Sequence, residues 1–148
     1  MSESHPGGYA GDINVKDAWD SLAKSPDATL VDVRTAAEWS YVGVPVLSSI
    51  GKETILVEWD DFTTRKRVAD FTERLKAALD ERGIGRDAPL YFICRSGSRS
   101  RNAAIEATAA GYKQCFNVEF GFEGRLSAER HRATPGSWKA TNLPWVQS

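Results

Sequence analysis

Short apolar runs punctuate this chain at intervals that predict strands. Asp27 to Val33 reads Asp-Ala-Thr-Leu-Val-Asp-Val, Glu53 to Trp59 reads Glu-Thr-Ile-Leu-Val-Glu-Trp, and Pro89 to Cys94 reads Pro-Leu-Tyr-Phe-Ile-Cys. Such runs, rich in β-branched and aromatic residues, suit strands of a buried sheet. Cys115 to Val118 predicts a last short strand, and Tyr9 to Ile13 an edge strand.

Helical patterns lie between them. Asn14 followed by Asp17 reads as a helix start, with Trp19, Leu22 and Ala23 on one face. Asp70 and Glu73 predict a capping box before Phe71, Leu75, Ala78 and Leu79, which recur at helical spacing, and Gly83 closes that helix. Ser98 or Arg99 to Ala110 predicts a third helix, stopped by Gly111. Alternating strands and helices imply an α/β domain with a parallel sheet. With no repeat, low-complexity tract or linker, residues 1–11 read as a flexible N-terminal segment and 12–148 as one domain.

Composition adds little to the fold but excludes partners. The 148 residues suffice for one cored domain. A formal charge of −1 provides no global field for nucleic acid or an anionic membrane, so neither is expected as a partner. The basic clusters at 64–67, 99–101 and 130–132 are local. The N-terminus lacks a signal pattern, and no apolar run approaches the ~20 residues of a membrane span. The expected location is therefore the cytoplasm. Two cysteines make no disulfide framework, and metal-binding spacings are absent, so no metal and no cofactor is expected.

Cys94 changes the picture. It stands at the mouth of an apolar strand, where ligands of parallel sheets collect. The loop after it, Arg95-Ser96-Gly97-Ser98-Arg99-Ser100, contains no proline, so each backbone N–H is available to an anion. The following helix adds its positive end, and Arg95, Arg99 and Arg101 add charge. All favour the thiolate, the nucleophilic form.

Cys94 to Ser100 resembles the active-site loop of the rhodanese family of sulfurtransferases. Leu30-Val31-Asp32-Val33-Arg34 with Glu38-Trp39 is similar to another family segment, and Phe116-Asn117-Val118-Glu119 with Gly121, Trp138-Lys139 and Leu143-Pro144 resemble its closing strand, glycine loop and tail. The resemblance implies a rhodanese-like domain, with a central, mainly parallel sheet of about five strands and helices on both faces. It implies that Cys94 takes the outer sulfur of thiosulfate or a persulfide as Cys–S–SH and passes it to cyanide, a thiol or a protein. Arg95 and Arg99 would hold a small anionic donor, and Ser96, Gly97, Ser98 and Ser100 would complete the anion site. Asp32 would brace the loop, and Arg34 with Glu38 would form a structural pair.

Three departures stand out. Where the family shows Gly-His-Ile-Pro-Gly-Ala, this chain has Val42-Gly43-Val44-Pro45-Val46-Leu47. Residues 48–67 are longer than a minimal member's, with Trp59 and Phe62 as core residues or pocket walls. Arg125 to Ser137 is an extra basic segment, either a spacer or a rim that gathers an anionic donor or an acidic partner. Cys115 reads as a small buried hydrophobe, and His5 and His131 as surface residues.

Two alternatives remain. One is a sulfur carrier or rhodanese-like interaction module serving protein donors and acceptors. The other, a cysteine phosphatase or arsenate reductase, needs five residues between the cysteine and a clamping arginine. That position is Ser100 here, and Arg99 comes one residue early.

Overall fold

The computed structural model describes residues 8–60, 66–124 and 136–146. In chain order the elements are β1 (Gly11–Ile13), α1 (Val15–Lys24), β2 (Thr29–Asp32), α2 (Ala36–Tyr41) and β3 (Val44–Pro45). A short 3-10 turn (Ser48–Ile50) precedes β4 (Ile55–Leu56), α3 (Phe71–Glu81), β5 (Pro89–Ile93), α4 (Ser98–Ala109), β6 (Gln114–Val118) and β7 (Trp145–Val146). Five strands form one sheet in the order β1-β6-β5-β2-β4, every pairing parallel. The sheet, expected to be mainly parallel with about five strands, has five strands, all parallel, with β5 at its centre.

Side-chain alternation along β5 splits the interior in two. Leu90, Phe92 and Cys94 face a core shared with Phe71, Leu75 and Leu79 of α3 and Ala103, Ala104 and Ala107 of α4. Tyr91 and Ile93 face the opposite core, with Val15, Ala18 and Leu22 of α1 and the buried Trp138. A period of two in the strand therefore commits Cys94 to the α3/α4 face.

The β4 run is shorter than its sequence pattern, but the ladder continues past it. The Val57 N–H donates to the Asp32 carbonyl and the Trp59 N–H to the Val33 carbonyl, each at 3.1 Å. Trp59 is a core residue, edge-on to Phe71 at 5.0 Å between centroids. Phe62 lies outside the described residues.

Asn14 caps α1 as expected, accepting from the Asp17 N–H at 2.8 Å. The capping box expected at Asp70 and Glu73 is not formed, because Asp70 makes no cap bond and pairs instead with Arg74 one turn on. A true capping box opens α2: Thr35 accepts from the Glu38 N–H, and Glu38 accepts from the Thr35 N–H.

Gly43 occupies the place of the family's histidine, and the structure supplies a reason. Its φ is +109°, and a Cβ there would lie 2.7 Å from the Val146 carbonyl oxygen and 2.9 Å from the Trp145 ring. The absent side chain lets β3 pair antiparallel with β7.

Asp32 and Arg34 are both fully buried. Asp32 accepts from the Arg34 backbone N–H and takes its guanidinium through Nε and Nη2, the latter at 2.6 Å. Asp32→Asn would leave the buried guanidinium without its counter-charge. We expect it to cost about 3–5 kcal/mol, read as a lowered urea midpoint, and a near-neutral effect would contradict the pairing's structural role.

Candidate active site

β5 delivers the chain to Cys94, which is 1% exposed. Its Sγ accepts from the Gly97 N–H at 3.1 Å and from the Ser100 hydroxyl at 3.2 Å. The loop folds back over its own cysteine because Gly97 adopts φ +114°, which glycine tolerates without penalty, and α4 begins at the next residue. The sulfur therefore sits beside a helix N-terminus with a backbone donor already aimed at it.

The loop is gripped from behind. The Phe122 N–H donates to the Cys94 carbonyl at 2.8 Å, and the Glu123 and Gly124 N–H groups donate to the Arg95 carbonyl at 3.0 Å. This approach requires glycine at 121. Its φ is +57°, and a Cβ would lie 2.4 Å from the Cys94 carbonyl oxygen.

Arg99 points to α2. Its Nη1 donates to Glu38 Oε1 at 2.6 Å and its Nη2 to Oε2 at 2.9 Å, with Asp60 Oδ1 at 3.5 Å. Burial opposes the Arg99 charge, but the hydrogen bonds and charge of Glu38, then the charges of Cys94 and Asp60, outweigh it and raise its pKa. Burial likewise pushes the Glu38 carboxyl up, while Arg99, the Thr35 N–H and the Arg34 charge hold it below the usual value. Both partners are ionised at neutral pH.

The structure thus sorts the residues expected at the site. Cys94, Gly97 and Ser100 converge on the sulfur. Arg95 and Ser98 are exposed on the loop, and Ser96 is partly exposed. Arg34 and Glu38 do not pair with each other as expected: Arg34 turns inward to Asp32 and the Gly43 carbonyl, and Glu38 turns outward to Arg99. Asp32 reaches the loop at second hand. The Arg34 guanidinium lies 4.3 Å from the centroid of the ring of Phe122, and the Phe122 backbone N–H holds the Cys94 carbonyl. Cys115 is fully buried, and burial pushes its pKa up to about 11. His5, His131 and residues 125–135 of the extra segment lie outside the described residues.

Sequence reasoning missed three partners: Glu38 and Asp60 for Arg99, and Asn117 for Ser100. Ser100 Oγ is 2.6 Å from Asn117 Oδ1. A lone amide inside the Phe116-Asn117-Val118 strand was the available signal, since buried polar groups need partners.

A five-stranded parallel α/β domain with one cradled cysteine beyond its central strand defines a cysteine-loop domain. The chain belongs to the rhodanese-like domain family, whose model matches residues 14–128. An uncharacterized protein of Rickettsia conorii is 37% identical over 128 residues, covering 86% of this chain and 90% of that protein. The thiosulfate sulfurtransferase GlpE of Haemophilus influenzae is 27% identical over 118 residues, covering 80% and 90%. The crystal structure of Rv0390 from M. tuberculosis superposes with a TM-score of 0.85 at 46% identity, covering 95% of this chain and 99% of that one. Among the described residues no helix is long and apolar enough to cross a membrane.

Two outcomes follow from this geometry. Gly121→Ala should destabilise the fold by at least the ~1–3 kcal/mol of a strained backbone residue, seen in urea denaturation; an unchanged midpoint would mean that the grip on the loop yields freely. In the native protein at neutral pH, iodoacetamide should modify Cys94, whose sulfur accepts from the Gly97 N–H, and spare Cys115, whose thiol pKa is pushed up to about 11 so that it stays un-ionised. Peptide mapping that finds Cys115 alkylated first would refute this.

Proposed function

We propose that this protein is a sulfurtransferase that carries a sulfane sulfur as a persulfide on Cys94. The observation that carries the reading is the cradle around Sγ, to which the Gly97 N–H donates at 3.1 Å and beside which the Ser100 hydroxyl lies at 3.2 Å. The Cys94 thiolate attacks the outer sulfur of the donor and forms a new S–S bond. The donor's own bond to that sulfur breaks, and its electron pair leaves on sulfite or on a carrier thiolate. An acceptor nucleophile (cyanide, a thiol or a protein thiolate) then takes the outer sulfur and returns the Cys94 thiolate. No net oxidant is needed, and the loop donors stabilise the sulfur anion at each stage.

In this reading Arg95, exposed on the loop, meets an anionic donor, with Ser96 and Ser98 beside it. Arg99 is a positioning residue that ties the start of α4 to α2, because Glu38 already holds both ends of its guanidinium. This favours a specific donor class. Glu38 and Asp60 offset the Arg99 charge, so a small dianion such as thiosulfate gains little from it. A persulfide on a thiol or protein carrier loses less.

The phosphatase alternative is disfavoured by Ser100, which holds the clamp position and places a hydroxyl, not a guanidinium, 3.2 Å from the sulfur. We expect no Cys94-dependent hydrolysis of aryl phosphates, and robust turnover would overturn the loop-length argument.

The direct test is thiocyanate formation from thiosulfate and cyanide. Cys94→Ser should abolish it with the fold intact, and Cys115→Ser should retain it. Activity surviving in Cys94→Ser would reject the assignment. Asp60→Asn should lower the KM for thiosulfate about two- to fivefold at low salt, as for a partly exposed charge pair of ~0.5–1 kcal/mol, with kcat little changed. An unchanged or raised KM would show that the acidic residues do not discriminate against the dianion.

A further inference from the structure

Ser100 has one hydroxyl proton and two neighbours that want it. Its Oγ lies 3.2 Å from Cys94 Sγ and 2.6 Å from Asn117 Oδ1. A hydroxyl donates to one acceptor at a time, so these two bonds exclude each other. The amide orientation that makes Asn117 an acceptor is fixed from its other end. Asn117 Nδ2 donates to Asp12 Oδ1 at 3.0 Å, and that oxygen also accepts from the Tyr9 hydroxyl at 2.9 Å. The register of β1 against β6 places Asp12 directly beside Asn117. A polar chain therefore runs from an exposed carboxylate on the edge strand, through a buried amide and a buried hydroxyl, to the buried sulfur.

We propose that Asn117 is a positioning residue that restrains Cys94 by competing for the Ser100 proton. With the hydroxyl proton turned to Asn117 Oδ1, Ser100 presents a lone pair to the sulfur and suits the thiol, which donates its S–H to Oγ. With the proton turned to Sγ, Ser100 suits the thiolate that attacks the donor, and the Asn117 bond is given up. The Asp12–Asn117 bond sets how readily that turn occurs. The consequence for sulfur transfer rests on the reading of Cys94 as the reacting sulfur, whereas the proton competition is read on Cys94 itself.

The site tolerates the variants that test this. The Asp12–Asn117 end of the chain opens on a cleft of about 380 Å³, lined also by Ser96, Gly97, Arg101 and Phe120, so Asp12 stays solvated when its partner is removed. The variants are Asn117→Leu, Ser100→Ala, the double variant and Asp12→Ala. The measurement is the ultraviolet absorbance of the thiolate against a Cys94→Ser blank, at one pH where wild type is mostly thiol, with circular dichroism to confirm folding.

Asn117→Leu should raise the ratio of thiolate to thiol about tenfold, because the Ser100 hydroxyl is left with Sγ alone. Ser100→Ala should lower it, and the double variant should match Ser100→Ala. Asp12→Ala should raise it by a smaller factor, since the amide is then free to turn. Should Asn117→Leu fail to fold, Asp12→Ala against Asp12→Ala with Ser100→Ala gives the same comparison. A lowered or unchanged ratio in Asn117→Leu, or an increase that persists without Ser100, would overturn the proposal in favour of a packing role. If these shifts appear but no persulfide forms with any donor, the sulfurtransferase reading fails and the proton competition stands.

Discussion

The site depends on one contact: the turn after β6 pressed against the back of the Cys94 loop. Three backbone N–H groups, of Phe122, Glu123 and Gly124, take the carbonyls of Cys94 and Arg95. With those carbonyls held on the far side, the Gly97 N–H faces the sulfur. Only glycine at 121 permits the approach, since its neighbours lie within 2.7 Å of where a side chain would begin. The same turn carries Phe122, which packs in the second core and stacks on the Arg34 guanidinium. The buried Asp32–Arg34 pair, the β6 turn and the cysteine loop are thus one mechanical unit.

Charge is arranged around this unit with an uneven distribution. Arg99 stands in the first turn of α4, where a helix end disfavours a cation, and Glu38 compensates by taking it in a two-pronged bond. The capping box of Thr35 fixes Glu38 in turn, so a local sequence motif on α2 reaches the mouth of the loop. On the other flank Asn117 and Asp12 bring a second acidic group toward the sulfur through Ser100. In our reading the positive potential at Cys94 comes mainly from backbone donors and the helix end, and the arginines are tempered by carboxylates.

The sequence was most informative where local chemistry decides the outcome. The buried strands at Leu30 and Tyr91 follow from uninterrupted apolar runs, and the Cys94 loop from its glycine, hydroxyls and lack of proline. α2 was not read from the sequence although Thr35-x-x-Glu38 is a capping-box pattern, because its six residues bury no apolar face that would show as helical periodicity. The partners of Arg34, Glu38 and Arg99 depend on distances across separate elements, and short-range spacing does not encode them. The Asp70 cap failed because Arg74, one turn away, competes for the same carboxylate. Gly43 looked like a departure from the family pattern, and it is a steric requirement of the β3–β7 ribbon.

The central claim is that Cys94, held between Gly97 and Ser100, accepts a single sulfur. Intact-protein mass spectrometry after exposure to thiosulfate, and separately to cysteine persulfide, tests it most directly. The account predicts one added sulfur atom, mapped to the peptide containing Cys94, removed by cyanide and absent from Cys94→Ser. No added sulfur with either donor, or sulfur mapped to Cys115, would contradict it.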